Sequence, residues 1–486
     1  MTAGTARTGA IALPPILGGI RPRPRWRELA LLALVALTLT VGAISLGSTL
    51  VARSAERGAA IPKGAFAPYG AALLVVYLGA LLAAHVAQVL AGRRTDQVLL
   101  PAVGMLGGIS LLLMERLPQD LAGQFGGLAQ TQLAWLFVAI AITTVLAITV
   151  RSDSWLRLYK YTWAAAGVFL LLLTFVFGSD VNGARLTLDL GPVSGQPSEL
   201  LKVILVVFLA GYLSENRPLL VEQSTRLGPL RFPPLPYLAP MVAMWAIALA
   251  IVVIQRDLGA ALLFFAVFLF LVYIATARWS YVALGLVLFV AGSALMYRLF
   301  PHVQERVDVW LDPFATPQGS GYQIIHALYA FARGGILGTG LGNGLPTFGG
   351  GQPGGIPEIH TDFPLAALGE ELGLIGILAI LGLYLVVIER GLRIAASAAD
   401  DFRALLAAGL SLVVGVQAFI IAAGNLKLIP LTGITLPFIS YGGSSLLANA
   451  CVVGLLLALS DRGVEPPPPP QRRRRRFARL FDRGAP

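Results

Sequence analysis

The stretch from Gly354 to Gly376, GGIPEIHTDFPLAALGEELGLIG, holds four carboxylates (Glu358, Asp362, Glu370 and Glu371) and one of the four histidines in the chain. Glu358, His360 and Asp362 fall within five positions, just ahead of a long apolar run. A carboxylate so placed can act as general base, taking the proton of a hydroxyl as its oxygen attacks. It can equally cap a helix: Thr361 or Asp362 suits the N-cap of the run that follows, with Pro364 in the first turn. Glu370 and Glu371 lie two turns further in. They are suited to satisfying buried polar groups or pairing with basic residues of neighbouring helices.

Four other stretches concentrate polar chemistry. In NGARLTLDLGPVSGQPSELLKV, residues Pro197, Ser198 and Glu199 make a good helix start. That role leaves Arg185 and Lys202 unexplained, two cations able to receive an anionic lipid head group. In QRDLGA, Arg256 and Asp257 either pair with each other or serve a site. ERVDVWLDPFATPQGSGYQ carries Arg306, Asp308 and Asp312. Its LDPF reads as a turn, and Arg306 is a candidate phosphate contact. GNLKLIPLTGITLPFISYGGSSLLAN, which includes Ser440, breaks its helix with Pro, Gly and Ser near membrane depth. Irregular backbone is tolerated there only inside protein or along a cavity, so a polar cavity open to the outside is expected.

The elements that must position these groups are membrane helices. The chain is 56% hydrophobic and 13% charged, with a mean hydropathy of +0.77. Its apolar runs are about 20 residues long, enough to cross a hydrocarbon core of roughly 30 Å. The expected fold is all-α: a polytopic membrane protein with about 12 spans, at 29–50, 69–91, 97–114, 131–150, 160–177, 197–214, 237–254, 258–276, 279–298, 362–388, 402–423 and 438–459. The first reads as an uncleaved anchor. A large loop, 299–361, separates the ninth and tenth. Within it, GYQIIHALYAFARGG places Ile324, Ile325, Leu328 and Phe331 at helical spacing, an amphipathic or re-entrant helix too short to span. The glycine-rich GTGLGNG follows no strand and lacks the lysine of a phosphate loop, so it reads as a flexible loop.

Lysine and arginine set the orientation. Most of the 36 fall on one side if both termini are cytoplasmic, which puts the large loop and most polar stretches outside. The chain then divides into a basic N-terminus (1–28), additional N-terminal spans (29–115), a membrane core (116–460) and a Pro/Arg-rich tail (461–486). The arginines at 472–476 directly follow a span. Attraction to anionic lipid explains them more simply than nucleic acid, and no nucleic-acid partner is expected. The single cysteine, Cys451, excludes an intramolecular disulfide and a cysteine-based zinc site.

Taken in order, NGAR (182–185), QPSELLK (196–202), QRDLGAALLFF (255–265), DPFATPQGSGYQIIHALYA (312–330), IPEIHTDFPLAALGEELGLIG (356–376) and PLTGITLPFISYGGSSLL (430–447) resemble the SEDS family, the FtsW/RodA/SpoVE group. The resemblance covers roughly the last 310 residues. It implies a peptidoglycan glycosyltransferase in the bacterial plasma membrane that polymerises lipid II, the undecaprenyl-pyrophosphate-linked precursor, into β-1,4 glycan strands. It implies Asp362 as the essential acid; Arg306, Arg185, Lys202, Glu199, Glu358, His360 and Ser440 are the residues expected about the substrate. The leaving pyrophosphate would be met by one of these cations or by a divalent Mg or Mn ion; no organic cofactor is implied. A class B penicillin-binding protein is the implied partner. Family members commonly have ten spans, three of them before the NGAR-like motif; here five precede it, and the extra pair is expected in the first 115 residues. Thr432 stands where some division-type members carry lysine, which leans away from the division type without deciding between elongation and division. A lipid-precursor flippase or transporter and a scaffold without chemistry are the competing readings.

Overall fold

The computed structural model describes residues 22–56, 71–121, 126–181, 184–189, 194–222, 225–227, 230–232, 257–344 and 355–461, with isolated positions between 239 and 250. Its helices are α1 (Trp26–Glu56), α2 (Ala71–Leu90), α3 (Leu99–Arg116), α4 (Leu128–Thr149), the single turn α5 (Ser154–Leu158), α6 (Lys160–Phe177), α7 (Pro197–Glu222), α8 (Leu258–Thr276), α9 (Trp279–Leu299), α10 (Pro301–Leu311), α11 (Tyr322–Gly334), α12 (Pro364–Ala396), α13 (Asp401–Asn425) and α14 (Gly443–Leu459). Ten of them, α1–α4, α6–α9, α12 and α13, are long and apolar enough to cross a membrane. The chain is thus a multi-pass membrane protein with an all-helical body.

The expected twelve spans are not all recovered. The one at 237–254 falls outside the continuously described residues. The last, expected from 438, begins only at Gly443 and is 17 residues long. The residues before it are non-helical, with Phe438 and Gly442 at positive φ. The links between helices are not all irregular either. The α6–α7 link forms a three-stranded antiparallel sheet from β1 (Ser179–Val181), β2 (Ala184–Asp189) and β3 (Ser194–Gly195). A small hairpin, β4 (Thr225–Leu227) and β5 (Leu230–Phe232), follows α7. The large loop carries α10 and α11; α11 buries Ile324 and Ile325 and packs on α12.

Helices α7 and α13 are the most enclosed of the spans, whereas the apolar window of α9 has no buried residue. The bundle is therefore built around α7 and α13, with α9 at its rim. One end gathers several termini through buried polar contacts. Arg25, just before α1, donates to Thr95 Oγ1 at 2.6 Å and pairs with Glu28, which also meets His85 Nδ1 at 2.7 Å. Arg93 pairs with Asp461, beyond α14, at 2.7 Å, and Arg390 near the end of α12 lies 3.8 Å from Asp96. The start of α1, the α2–α3 link and the ends of α12 and α14 thus share one end of the bundle, and the start of α12 lies at the other.

Helix α12 is broken. Gly373 has φ 67° and ψ −168°, a conformation open essentially to glycine alone. A break inside a span strands main-chain groups, and here the segment after α11 satisfies them. Thr339 and Gly340 donate to the Glu370 and Glu371 carbonyls at 3.0 and 2.9 Å, while Leu374 and Ile375 donate to Gly335 and Ile336 at 2.9 and 3.2 Å. The glycine-rich run expected to be a flexible loop is, up to Gly344, a fitted strap. Glu370 pairs with Arg333 at 2.9 Å and Glu371 with Arg116, as their positions predicted.

Candidate active site at the start of the broken helix

Aspartates start several helices. Asp257 accepts from Ala260 N–H at 2.9 Å to cap α8, and Asp400 accepts from Arg403 N–H at 3.0 Å to cap α13. Helix α12 breaks this pattern and corrects the capping expectation: its N-cap is Phe363, with Pro364 next and no side-chain cap. Neither Thr361 nor Asp362 caps it, because the position that caps falls one residue later, on Phe363, whose side chain has no acceptor. The Asp362 carboxylate is left for other work.

The backbone carrying it is held from three directions. The carbonyl of His360 accepts from Tyr441 N–H at 2.8 Å, that of Thr361 from Ser440 Oγ at 2.6 Å, and that of Asp362 from Asn425 Nδ2 at 2.9 Å. Ser440 also accepts from Leu436 N–H at 2.8 Å, so it ties the turn before α14 to the one before α12. Behind it, Ser110 donates to the Ile439 carbonyl at 2.7 Å and Gln132 donates to Ser110 at 2.8 Å. Within its own turn, Asp362 N–H donates to Glu358 O at 2.9 Å, and Glu358 itself sits at φ 53°. A left-handed non-glycine residue is maintained only where its surroundings over-determine it.

Arg306, on α10, donates through Nη1 to the carbonyls of Leu431 and Thr432 at 3.2 and 2.9 Å. A methyl group placed on Gly433 would stand 3.9 Å from both Arg306 Nη2 and Asp362 Oδ2. The guanidinium and the carboxylate therefore face each other across an exposed glycine without forming an ion pair among the described residues. Asp362 is half-buried, and its pKa is pushed up to about 6. Burial is the main cause and the Glu358 carboxylate adds to it, while the Thr361 hydroxyl and Arg306 pull the other way. His360 is buried, with Nδ1 lacking a hydrogen-bond partner among the described residues; burial lowers its pKa, against the opposing pull of Glu358. The imidazole is thus kept neutral near pH 7.

Lys202 stands apart from Arg306. Its ammonium donates to Glu199 at 2.6 Å, to Gln417 at 2.7 Å and to Asn449 at 3.4 Å, three acceptors for three protons. Gln417 continues to the Thr435 carbonyl at 2.8 Å, and Thr435 Oγ1 lies 2.6 Å from Ser445 Oγ. Lys202 and Glu199 thus fasten α7 to α13, α14 and the last link. With Ser198, Asp257 and Gly433 they line a polar cavity of about 30 Å³, too small for a sugar, whose pockets run to roughly 300 Å³ or more. A larger cavity of about 830 Å³ lies between α1, α3 and α12, but its walls are mostly apolar and its ionic groups are already paired.

The structure therefore joins Asp362, Glu358, His360, Arg306 and Ser440 in one place and puts Glu199 and Lys202 in the lining of a small cavity that Gly433 shares. Arg185 falls on β2, opposite Asp180 in register; its side chain lies outside the described residues, as does Arg256. Asp257, expected either to pair with Arg256 or to serve a site, caps α8 and also meets Ser198 Oγ at 3.4 Å. Asn425, Gln417 and Asn449 were missed. Their signal was there: a polar amide inside an apolar run is costly unless it has partners.

Residues 96–463 match the family model for the FtsW, RodA and SpoVE cell cycle proteins, which leaves α1 and α2 outside the matched region. The peptidoglycan glycosyltransferase RodA of Mycobacterium tuberculosis is 41% identical over 404 residues, covering 82% of this chain and 84% of that one. The RodA of Mycobacterium leprae is 38% identical over 458 residues, covering 93% and 94%. A solved structure on the structural coordination of polymerization and crosslinking by a peptidoglycan synthase complex superposes with a TM-score of 0.60 at 26% identity, covering 76% of this chain and 98% of its own.

Proposed function

Since the chain belongs to the FtsW, RodA and SpoVE family and is a peptidoglycan glycosyltransferase, we propose that it polymerises lipid II at the outer membrane face with Asp362 as general base. The observation that carries this reading is the Asp362 carboxylate: freed from capping, fixed through its backbone and facing Arg306 across Gly433. The acceptor sugar would lie on the open side of Gly433. As its 4-hydroxyl oxygen attacks the anomeric carbon of the donor, the proton passes to Asp362. The bond from that carbon to the pyrophosphate oxygen breaks, and the carbon inverts from α to β.

Arg306 is the cation placed to stabilise the departing pyrophosphate, since its Nη2 and Nη1 stand 3.9 and 4.0 Å from the position a Gly433 methyl would take, beside Asp362 Oδ2 at 3.9 Å, while Lys202 is saturated. Among the described residues no three His, Cys, Asp or Glu side chains gather to hold a metal. The arrangement fits an ion held by one carboxylate, Glu358, together with substrate phosphate oxygens, as Mg²⁺ is commonly bound. When bound, such an ion would supply further positive charge to the leaving group. His360, neutral and buried, offers an uncharged contact to the sugar.

In this reading the Asp362 end faces outward. The end that gathers the start of α1 and the close of α14 is cytoplasmic, in keeping with the lysine and arginine bias. Similarity to a synthase complex supports a crosslinking partner, a class B penicillin-binding protein. The test is polymerisation of lipid II by the purified protein, with and without that partner and with Mg²⁺ or Mn²⁺, resolved on a gel. Polymer from the wild type and none from folded Asp362→Asn is the expected result. Polymer from Asp362→Asn would remove the base from this mechanism.

A further inference from the structure

Of the three groups that hold the His360–Asp362 carbonyls, one is a fully buried side-chain amide at the very end of a span. Asn425 closes α13. Its Nδ2 donates to Asp362 O at 2.9 Å, and its Oδ1, also buried, has no hydrogen-bond partner among the described residues. The helix end does not need this side chain. The last turn of α13 is closed by main-chain bonds from Leu426 to Ala422 at 3.0 Å, Lys427 to Gly424 at 3.1 Å and Leu428 to Ala423 at 2.8 Å. An amide whose oxygen goes unsatisfied in an apolar bundle is a poor stabiliser. Its single described side-chain hydrogen bond is with the residue whose carboxylate does the chemistry.

We propose that Asn425 is a positioning residue for the polymerisation reaction. By fixing the carbonyl of Asp362 it sets the peptide that joins Asp362 to Phe363, and so the direction in which the carboxylate leaves the main chain toward Gly433 and Arg306. Ser440 and Tyr441 hold the two preceding carbonyls from the last link, whereas Asn425 holds the third from α13. The base is thus fixed between two separate elements. A misplacement on the order of 1 Å at a reacting group costs about a hundredfold in rate. Loss of the amide therefore falls on turnover and leaves lipid II binding alone.

The inference rests on the reading of Asp362 as base, so wild type and Asp362→Asn are assayed first, in the complex with the crosslinking partner. Asn425→Leu keeps the heavy-atom count and the branch at Cγ and removes the donor; Asn425→Ser keeps a hydroxyl too short to reach. Both are expected to keep the wild-type melting temperature within a few degrees. Their kcat should fall tenfold to a hundredfold, with KM for lipid II within about threefold of wild type. An inactive Asp362→Asn beside Asn425 variants of wild-type kcat would overturn this inference and leave the base assignment intact. A raised KM at unchanged kcat would make Asn425 a substrate contact instead. Loss of the fold in both variants would also overturn it, because it would place the side chain in the service of the bundle.

Discussion

The ionisation of Asp362 gives the most direct quantitative handle on this site. With a pKa near 6, a base that must be deprotonated to work is half-competent at pH 6, and about a tenth of it is ionised at pH 5. The value of kcat/KM should therefore fall about tenfold from its plateau to pH 5. A carboxylate at the ordinary 3.8 would lose less than about a tenth over the same interval. The neighbours supply a second, sharper test because they pull in opposite directions. Glu358→Gln removes a like charge and should move the acid limb to lower pH, though only part of the way, since burial is the larger cause and remains. Arg306→Met removes the opposing cation and should move the limb to higher pH, along with a loss of turnover. Initial rates of labelled lipid II polymerisation from pH 5 to 8.5 would read all three profiles. A wild-type profile flat down to pH 5, or limbs of the two variants shifted the same way, would refute the electrostatic account of the base.

Three further outcomes follow from the packing. Gly433→Ala forces a side chain onto φ 73°, at about 1–2 kcal/mol, and sets a methyl group between Asp362 and Arg306. Activity should fall much further than thermal stability, and equal losses would count against the placement of substrate over Gly433. Gly373→Ala would put Cβ 2.3 Å from Gly338 N and add about 1–3 kcal/mol of backbone strain. It should expose the 335–344 strap to proteolysis, and an unchanged digestion pattern would contradict its docking on the break in α12. The Arg116–Glu371 pair is only 7% and 5% exposed, so Arg116→Met or Glu371→Leu alone should cost about 3–5 kcal/mol while the double variant costs less. Additive losses in melting would show that the two charges are not coupled.

The membrane spans were readable because span formation is local: a run of about 20 apolar residues has few alternatives in a bilayer. The polar stretches were readable for the same reason, since ionisable groups at membrane depth stand out against their background. Sequence marked Glu370 and Glu371 for pairing and set Glu358, His360 and Asp362 at a helix mouth. It could not separate a capping aspartate from a reacting one, because both share residue type and position. That distinction needed Phe363 as the N-cap and the Gly433 gap. Arg306 and Lys202 looked alike as cations; only long-range contacts made one a tie between α7, α13 and α14 and left the other facing Asp362. The strap on α12 was hidden too, since its hydrogen bonds join residues more than thirty positions apart. Composition and spacing thus determined which elements form and where polar groups must cluster. Tertiary structure decided which of those groups are consumed by one another and which remain for substrate, because hydrogen-bond satisfaction is a property of neighbours in space.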